Sequence, residues 1–115
     1  MSKSKGVYVE LPASSTESMK AFYGSLFGWS FQDWGSDYTA FSDSGLEGGF
    51  HAGSEHRTQA PLVVIETDAL EAMEEKVRAR GGMITVPIFR FPGGRRFHFR
   101  DPSGNELAVM EADRS

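Results

Sequence analysis

The sequence predicts an α+β protein built from two similar units, each consisting of a strand, a helix and three further strands. Three observations lead to this prediction. Apolar residues recur at helical spacing in two segments, short alternating segments separated by turn residues surround each of them, and the two helical segments match when 54 is added to the residue number. If each helix covers one face of its strands, the other faces curl as a mixed sheet around a central cleft.

The first unit is expected over about residues 6–51. Gly6–Leu11 alternates apolar and polar residues as a strand does, and Pro12 ends it. Ser14 stands three positions before Glu17, which is the pattern of a capping box at the start of a helix. The buried stripe of this helix is predicted to be Met19, Phe22, Tyr23 and Leu26. Gly28 is expected to end the helix in a left-handed conformation.

Three short strands complete the first unit. They are predicted at Trp29–Trp34, Asp37–Asp43 and Leu46–His51. The turn signals Gly35-Ser36 and Ser44-Gly45 separate them. The polar segment Ala52–Gln59 that follows is predicted to be a loop between the two units.

The second unit is expected over about residues 60–112. Ala60–Thr67 contains a continuous apolar run that suits a strand covered on both faces. Asp68 and Glu71 repeat the capping-box spacing. The buried stripe of the second helix is predicted to be Leu70, Met73 and Val77, with Glu74 and Arg78 as an ion pair on its solvent side. Gly81-Gly82 ends this helix.

The last three strands contain the most distinctive pattern. Pro87 interrupts Met83–Phe91, so this strand is predicted to be an edge strand or bulged. Pro92-Gly93-Gly94 then turns into a hairpin whose own turn is Asp101–Asn105. Alternation gives this hairpin an apolar face of Phe97, Phe99, Leu107 and Val109, and a functional face of Arg96, His98, Arg100 and Glu106.

The two halves are interpreted as an internal duplication. With an offset of 54, Glu17 coincides with Glu71, Met19 with Met73, Tyr23 with Val77 and Gly28 with Gly82. Together with the repeated order of elements, these coincidences favour a duplicated unit.

Composition limits the class of protein. The chain has 115 residues and is predicted to form a single domain over 1–115. It has no cysteine, which excludes disulfides and thiolate metal sites. The net charge of −4 argues against a nucleic-acid partner, and no apolar run is long enough to span a membrane. A cytoplasmic protein is expected.

Three motifs identify a family resemblance that covers the whole chain. They are Val9-Glu10-Leu11-Pro12, Ala21-Phe22-Tyr23 with Leu26-Phe27-Gly28-Trp29, and Asp101-Pro102-Ser103-Gly104-Asn105. In these motifs the chain resembles the vicinal oxygen chelate superfamily, which includes glyoxalases, bleomycin-resistance proteins and extradiol dioxygenases. The resemblance implies a glyoxalase-like fold and favours a homodimer.

The resemblance also implies where a metal would bind, because metal-dependent members place His, Glu or Gln on the first and last strands of each unit. In this sequence those positions fall on Tyr8, Leu62, Ala108 and the stretch Glu47–His51. Leucine and alanine offer no donor atoms, so no metal and no cofactor is expected. A slip of one or two residues in the alignment would bring Glu10 and Glu106 to these positions.

Sorting by face gives a set of candidate residues for the cleft. The candidates for ligand binding are Tyr8, Glu10, Arg96, Arg100 and Glu106. His98 is the candidate catalytic residue, because flanking arginines favour a neutral imidazole that can accept a proton. The arginines suit a carboxylate or phosphate on a ligand. Alternatively, the two glutamates pair with these arginines across neighbouring strands and serve structure alone. His51 and His56 are expected to face solvent.

Three functions are compatible with these residues. The favoured one is metal-independent binding of a small molecule in the cleft between the two units. The first alternative is a metal-dependent glyoxalase-like lyase or isomerase, or a dioxygenase, in which a cation polarises paired oxygens of the substrate. The second alternative is a structural module that forms a homodimer.

Overall fold

The structure is a computed structural model that describes residues 6–55 and 57–113. Its elements are β1 (Gly6–Pro12), α1 (Thr16–Phe27), β2 (Ser30–Asp33), β3 (Tyr38–Ser42), β4 (Gly48–His51), β5 (Leu62–Glu66), α2 (Leu70–Ala79), β6 (Met83–Phe91), β7 (Gly94–Arg100) and β8 (Glu106–Ala112). The predicted order of strand, helix and three strands, repeated once, is confirmed. The polar lead Met1–Lys5 lies outside the described residues. Neither helix is long and apolar enough to cross a membrane.

The chain divides into two compact units: an N-terminal unit of Tyr8–Leu62, and a C-terminal unit formed by the residues from Val63 onward together with Gly6 and Val7. Strands of the N-terminal unit lie in the order β2-β3-β4-β1, and those of the C-terminal unit in the equivalent order β6-β7-β8-β5. In each unit the first and last strands are parallel, and the other neighbours are antiparallel. The α+β fold class with mixed strand pairing is therefore confirmed.

The register of the strands supports the predicted duplication. Val9 pairs with Gly48 in the N-terminal unit, and Val63, which is 54 positions after Val9, pairs with Leu107 in the C-terminal unit. The helix caps Ser15 and Ala69 have the same separation of 54. Gly48 and Leu107 are further apart than this, since β6 and β7 are longer than β2 and β3.

The core of the N-terminal unit is aromatic. Phe41 and Phe50 are buried, and α1 covers them with Met19 and Tyr23. The Tyr23 ring stacks on the ring of Trp29 at 5.0 Å and on that of Phe50 at 5.2 Å, measured between centroids. Offset contacts of this kind are favourable beyond the apolar area that they bury.

The predicted buried stripe of α1 is wrong at two positions. Phe22 is 55% exposed and Leu26 is 57% exposed. The face of α1 that meets the strands is narrow: Thr16 is buried, and Met19 and Tyr23 pack against the core. The spacing of apolar residues showed an amphipathic helix but not the width of the covered face.

The ends of α1 follow from local chemistry. The N-cap is Ser15 and not the predicted Ser14: its backbone is extended, and its side chain accepts a hydrogen bond from the Ser18 amide at 3.2 Å. Neighbouring serines have the same capping chemistry, so the sequence did not distinguish them. Gly28 ends the helix with φ of 73°, and its amide donates to the Gly24 carbonyl oxygen, as predicted.

The C-terminal unit has a separate core beneath α2. Leu70, Phe97 and Val109 are buried, and Met73 and Val77 pack against them. The predicted stripe of α2 is thus confirmed, as is the apolar face of the hairpin at Phe97, Phe99 and Val109. The predicted ion pair is also present, with 3.6 Å between Arg78 and Glu74.

The predicted capping box of α2 is wrong. The N-cap is Ala69, which has no side-chain capping bond, and its amide donates to the Thr67 hydroxyl at 3.2 Å. The Glu111 carboxylate, from the last strand, accepts a hydrogen bond from the Leu70 amide at 3.2 Å. Glu71 instead contacts Arg95. A distant residue therefore fulfils the role that the local pattern assigned to Asp68 and Glu71.

The last strands have the predicted irregularities. The pairing of β6 with β7 shifts register on both sides of Val86, next to Pro87. In the hairpin turn the Asp101 carboxylate accepts hydrogen bonds from the backbone amides of Ser103 and Asn105, both at 2.9 Å. Hydrogen bonds from Asn105, with those from neighbouring amides, hold the pKa of Asp101 below its usual value.

Candidate functional site

In the N-terminal unit a chain of hydroxyl and carboxyl groups lies on the sheet face opposite α1. Tyr8 and Glu10 alternate along β1 with the core residue Leu11 and therefore point away from the helix. The Tyr8 hydroxyl donates to the Glu10 carboxylate at 3.4 Å and lies 2.7 Å from the Tyr38 hydroxyl. Because Tyr8 has a single proton, Tyr38 donates to Tyr8 when Tyr8 donates to Glu10. Two predicted site residues are thus brought together.

Tyr38 is a site residue that the sequence analysis missed. A Cβ atom at Gly49 would lie 2.6 Å from the Tyr38 hydroxyl oxygen, so the missing side chain of this glycine allows the tyrosine ring to lie over β4. Alternation along β3 was the available signal, since Tyr38 and Ala40 share the face opposite to buried Phe41.

The N-terminal unit contains an open groove of about 350 Å³, which we name the Tyr8 groove. It is lined by Tyr8, Ala40, Phe41, Ser42, Gly45, Leu46, Glu47 and Gly48. Its floor is fixed by strand pairing, because the Val9 amide donates to the Glu47 carbonyl oxygen at 2.9 Å. The side chain of Leu46 is 54% exposed at its rim.

The groove combines apolar walls with few polar groups. Tyr8 and Leu46 supply aromatic and aliphatic surface, while the hydroxyl of Ser42 and the carboxylate of Glu47 are polar. Small-molecule sites typically have this composition, in which apolar surface gives affinity and a few polar groups give orientation. The arrangement can bind a small organic molecule.

In the C-terminal unit His98 and Glu106 form a hydrogen-bonded pair on the face opposite α2. His98 is only 1% exposed, and its Nδ1 atom lies 3.1 Å from Glu106 Oε2. Thr85, from β6, donates its hydroxyl proton to the same oxygen at 3.2 Å. A carboxylate oriented in this way fixes the imidazole tautomer and leaves Nε2 as the proton-accepting nitrogen of the neutral ring.

Arg96 lies beside this pair between two aromatic rings that the sequence analysis did not single out. Its guanidinium carbon is 5.5 Å from the centroid of Phe89 and 5.6 Å from that of Phe91. These distances are within the range of cation–π contacts. The ring of Phe89 also packs against His98 at 5.8 Å between centroids. The alternation of side chains along β6 and β7 was a usable signal for these aromatic contacts.

Arg100 does not join the other candidates. It is exposed, and its guanidinium donates to the Gly104 carbonyl oxygen at 3.0 Å, which supports the hairpin turn. The Glu106 carboxylate accepts a hydrogen bond from Thr85 and contacts His98, which lies on the neighbouring strand.

The donor atoms of residues 6–55 and 57–113 do not form a group suited to a metal ion. Among the described residues no three His, Asp or Glu side chains form a group that could hold one. Leu62 and Ala108, at two of the expected ligand positions, are buried and carry no donors. Both ring nitrogens of His51 are engaged, since Nε2 contacts the Glu55 carbonyl oxygen and Nδ1 accepts from the Gly53 amide. His56 lies outside the described residues.

Comparison with protein families gives one match. The family model described as the Glyoxalase/Bleomycin resistance protein/Dioxygenase superfamily matches residues 6–109. No curated protein sequence matches this chain.

Solved structures share the fold at low sequence identity. A structure described as NAD-dependent benzaldehyde dehydrogenase from Legionella pneumophila has a TM-score of 0.80 and 15% identity, covering 94% of this chain and all of the other. Methylmalonyl-CoA epimerase from Mycobacterium tuberculosis has a TM-score of 0.69 and 12% identity, covering 96% of this chain and 90% of the other. The Mn(II)-bound glyoxalase from Novosphingobium aromaticivorans has a TM-score of 0.67 and 19% identity, covering 100% of this chain and 43% of the other.

Proposed function

The chain belongs to the Glyoxalase/Bleomycin resistance protein/Dioxygenase superfamily, and on that premise we propose that it binds a small organic molecule in the Tyr8 groove. One observation carries the proposal: the groove has a volume of about 350 Å³ and contains Tyr8, which the sequence analysis had selected as a ligand-binding residue. Ligand pockets in proteins have volumes of roughly 300–1,000 Å³. A ligand of one aromatic ring with a short substituent suits this space.

We propose that binding does not require a metal ion. A Mn(II)-bound glyoxalase is among the proteins with this fold, so metal dependence is the competing hypothesis. The support for metal independence is the chemistry of the side chains, because Leu62 and Ala108 cannot coordinate a cation. The test is the melting temperature of the protein with and without Mn²⁺. An ion that binds the native state raises the melting temperature. A rise in melting temperature with stoichiometric Mn²⁺ would therefore overturn this part of the proposal.

The binding proposal is tested by titrating the protein with benzyl alcohol, a neutral aromatic probe. The NMR signals of the backbone amides are the readout. We expect shifts at the amides of Ser42 and Leu46, which line the groove. Leu46→Ala removes apolar surface from the rim and should weaken binding by about fivefold, since a loss of about 1 kcal/mol corresponds to this ratio.

Leu26→Ala is the matched control for this titration. Leu26 is a leucine of the same unit with nearly the same exposure, and it lies on α1 outside the groove lining. Its substitution should leave the affinity unchanged. Equal weakening by both substitutions, or probe-induced shifts that avoid the groove amides, would contradict the proposal.

A catalytic role is a second candidate, favoured by the contact between His98 Nδ1 and Glu106. An imidazole held in this tautomer suits a general base. The test follows deuterium uptake from D₂O at the methyl carbon of pyruvate by NMR. Acceleration by the wild type that is lost in His98→Gln would support proton transfer, and a rate equal to that of buffer would leave binding as the function.

A further inference from the structure

The two units differ in charge. The N-terminal unit contains seven carboxylate residues: Glu10, Glu17, Asp33, Asp37, Asp43, Glu47 and Glu55. Its basic residues are Lys20 and Arg57, so the unit accounts for more than the whole net charge of −4. An excess of one sign around a groove raises the local concentration of ligands of the opposite sign.

Both basic residues of this unit are engaged away from the groove. The Lys20 ammonium contacts Glu17 at 2.9 Å and Asp33 at 3.0 Å. Arg57 donates to the carbonyl oxygens of Ala13 at 2.9 Å and Ala52 at 3.2 Å. Neither residue lines the Tyr8 groove, so neither neutralises its field.

Glu47 is the charged residue of the groove lining. Its backbone is fixed by the hydrogen bond from the Val9 amide, while its side chain is exposed to solvent. Within residues 6–55 and 57–113 its carboxylate forms no ion pair and no side-chain hydrogen bond. The strand pairing fixes the backbone from which this side chain extends, and the carboxylate is available to a ligand.

The other polar groups of the lining have partners within the protein. The Tyr8 hydroxyl contacts Tyr38 and Glu10, and the Ser42 hydroxyl donates to the Ser30 carbonyl oxygen at 3.5 Å. The remaining surface is apolar and includes the aromatic ring of Tyr8. A ligand thus meets one carboxylate and otherwise apolar or already bonded groups.

We propose that the Tyr8 groove selects an organic cation, namely an ammonium group carried on a small apolar body. This inference rests on the binding function proposed above and adds its chemical class. The ammonium group pairs with Glu47, and the ring of Tyr8 supplies a negative face that also attracts a cation. The apolar body packs against Leu46.

The test uses three probes that share one aromatic ring and differ in charge: benzylammonium, benzyl alcohol and benzoate. Their dissociation constants are measured by NMR titration of the full chain at neutral pH and low ionic strength. We expect benzylammonium to bind about threefold to fivefold more tightly than benzyl alcohol, the range that an exposed ion pair supports. Benzoate should bind most weakly. Added salt should reduce the preference for the cation.

Glu47→Gln removes the charge with little change of shape and should abolish the advantage of benzylammonium over benzyl alcohol. Glu75→Gln, an exposed glutamate on α2 outside the groove lining, is the matched control and should retain it. The comparison between the two probes cancels any general effect of either substitution on the fold.

The outcomes separate this inference from the function on which it rests. Equal affinity for benzoate and benzylammonium would overturn the charge selection. So would a tighter binding of benzylammonium than of benzyl alcohol that persists in Glu47→Gln. In both cases the groove would still bind benzyl alcohol, and the binding function would stand. If none of the three probes shifts the amides of Ser42 and Leu46, both the selection and the binding function of the groove are wrong.

Discussion

The Nδ1 atom of His98 lies 3.1 Å from the Oε2 atom of Glu106, on the sheet face opposite α2. The Thr85 hydroxyl donates to the same carboxylate oxygen at 3.2 Å. A carboxylate oxygen can only accept hydrogen bonds, so in the neutral ring the proton resides on Nδ1. Three strands thus cooperate to fix one tautomer of one buried imidazole.

We expect the ¹⁵N chemical shifts of His98 to show the Nδ1–H tautomer in the wild type. Glu106→Ala should lose this preference and should lower the free energy of unfolding by about 1–3 kcal/mol, because a buried polar group loses its partner. Glu106→Gln keeps an acceptor oxygen, so it should retain more of the tautomer preference and more of the stability than Glu106→Ala. An Nε2–H tautomer in the wild type would contradict the assignment.

Alanine substitutions at two glycines should have opposite effects. A Cβ atom at Gly48 would overlap the Val9 carbonyl oxygen and the Phe41 ring, so Gly48→Ala should destabilise the fold by about 1–3 kcal/mol. Gly24 lies inside α1, where a Cβ would come no closer than 3.4 Å to Phe31. Gly24→Ala should therefore stabilise the protein by about 0.5–1 kcal/mol. Urea unfolding of both variants measures whether the free energy of unfolding falls or rises relative to the wild type. A loss of stability in both variants would contradict the prediction.

Removal of the Glu111 carboxylate should loosen the start of α2. Glu111→Ala removes the acceptor for the Leu70 amide and the contact with Arg95, and should cost about 1–2 kcal/mol of stability, as the loss of a helix cap does. Hydrogen exchange of the Leu70 amide should accelerate. Glu75→Ala, on the exposed side of the same helix, should change neither measurement, and equal effects in both variants would refute the capping role.

Stability should depend on pH through Asp101. Hydrogen bonds from Asn105 and from neighbouring amides lower its pKa in the folded state relative to the ordinary value of 3.8. The ionised turn therefore stabilises the fold above that value, and this contribution is lost as the pH falls through the lower pKa of the folded state. Asp101→Asn cannot titrate. The free energies of unfolding of the two proteins should converge toward low pH, and parallel curves would exclude the contribution.

Local chemistry allowed much of the fold to be predicted. Gly28 ends α1 in the left-handed conformation that its position indicated, and the Asp101 turn is built from the hydrogen bonds that its residue types favour. Pro87 coincides with the irregular strand pairing that its missing amide predicted. In each case the deciding interaction lies within a few residues along the chain.

Long-range contacts account for the errors. Glu111, rather than Asp68 or Glu71, completes the start of α2, and nothing near α2 in the sequence indicates this. Phe22 is exposed because tertiary packing, not helical spacing, sets the width of the covered face.

The candidate site was predicted in part. Alternation correctly placed Tyr8 with Glu10 and His98 with Glu106. Their partners Tyr38 and Thr85 come from other strands and depend on strand register, which a single sequence does not fix. Alternation did not indicate the contact of Arg100 with the hairpin turn, because that contact depends on the reach of its long side chain.

The irregularity of β6 has a consequence for solubility. β6 is the terminal strand of its unit, so one of its edges is unpaired there, and such an edge can recruit strands from other molecules. Pro87 offers no amide proton, and the shifts beside it break the regular spacing of donors and acceptors. A foreign strand could match this edge over only a few residues. We therefore expect the same feature that weakens the sheet locally to hinder fibril growth from this edge.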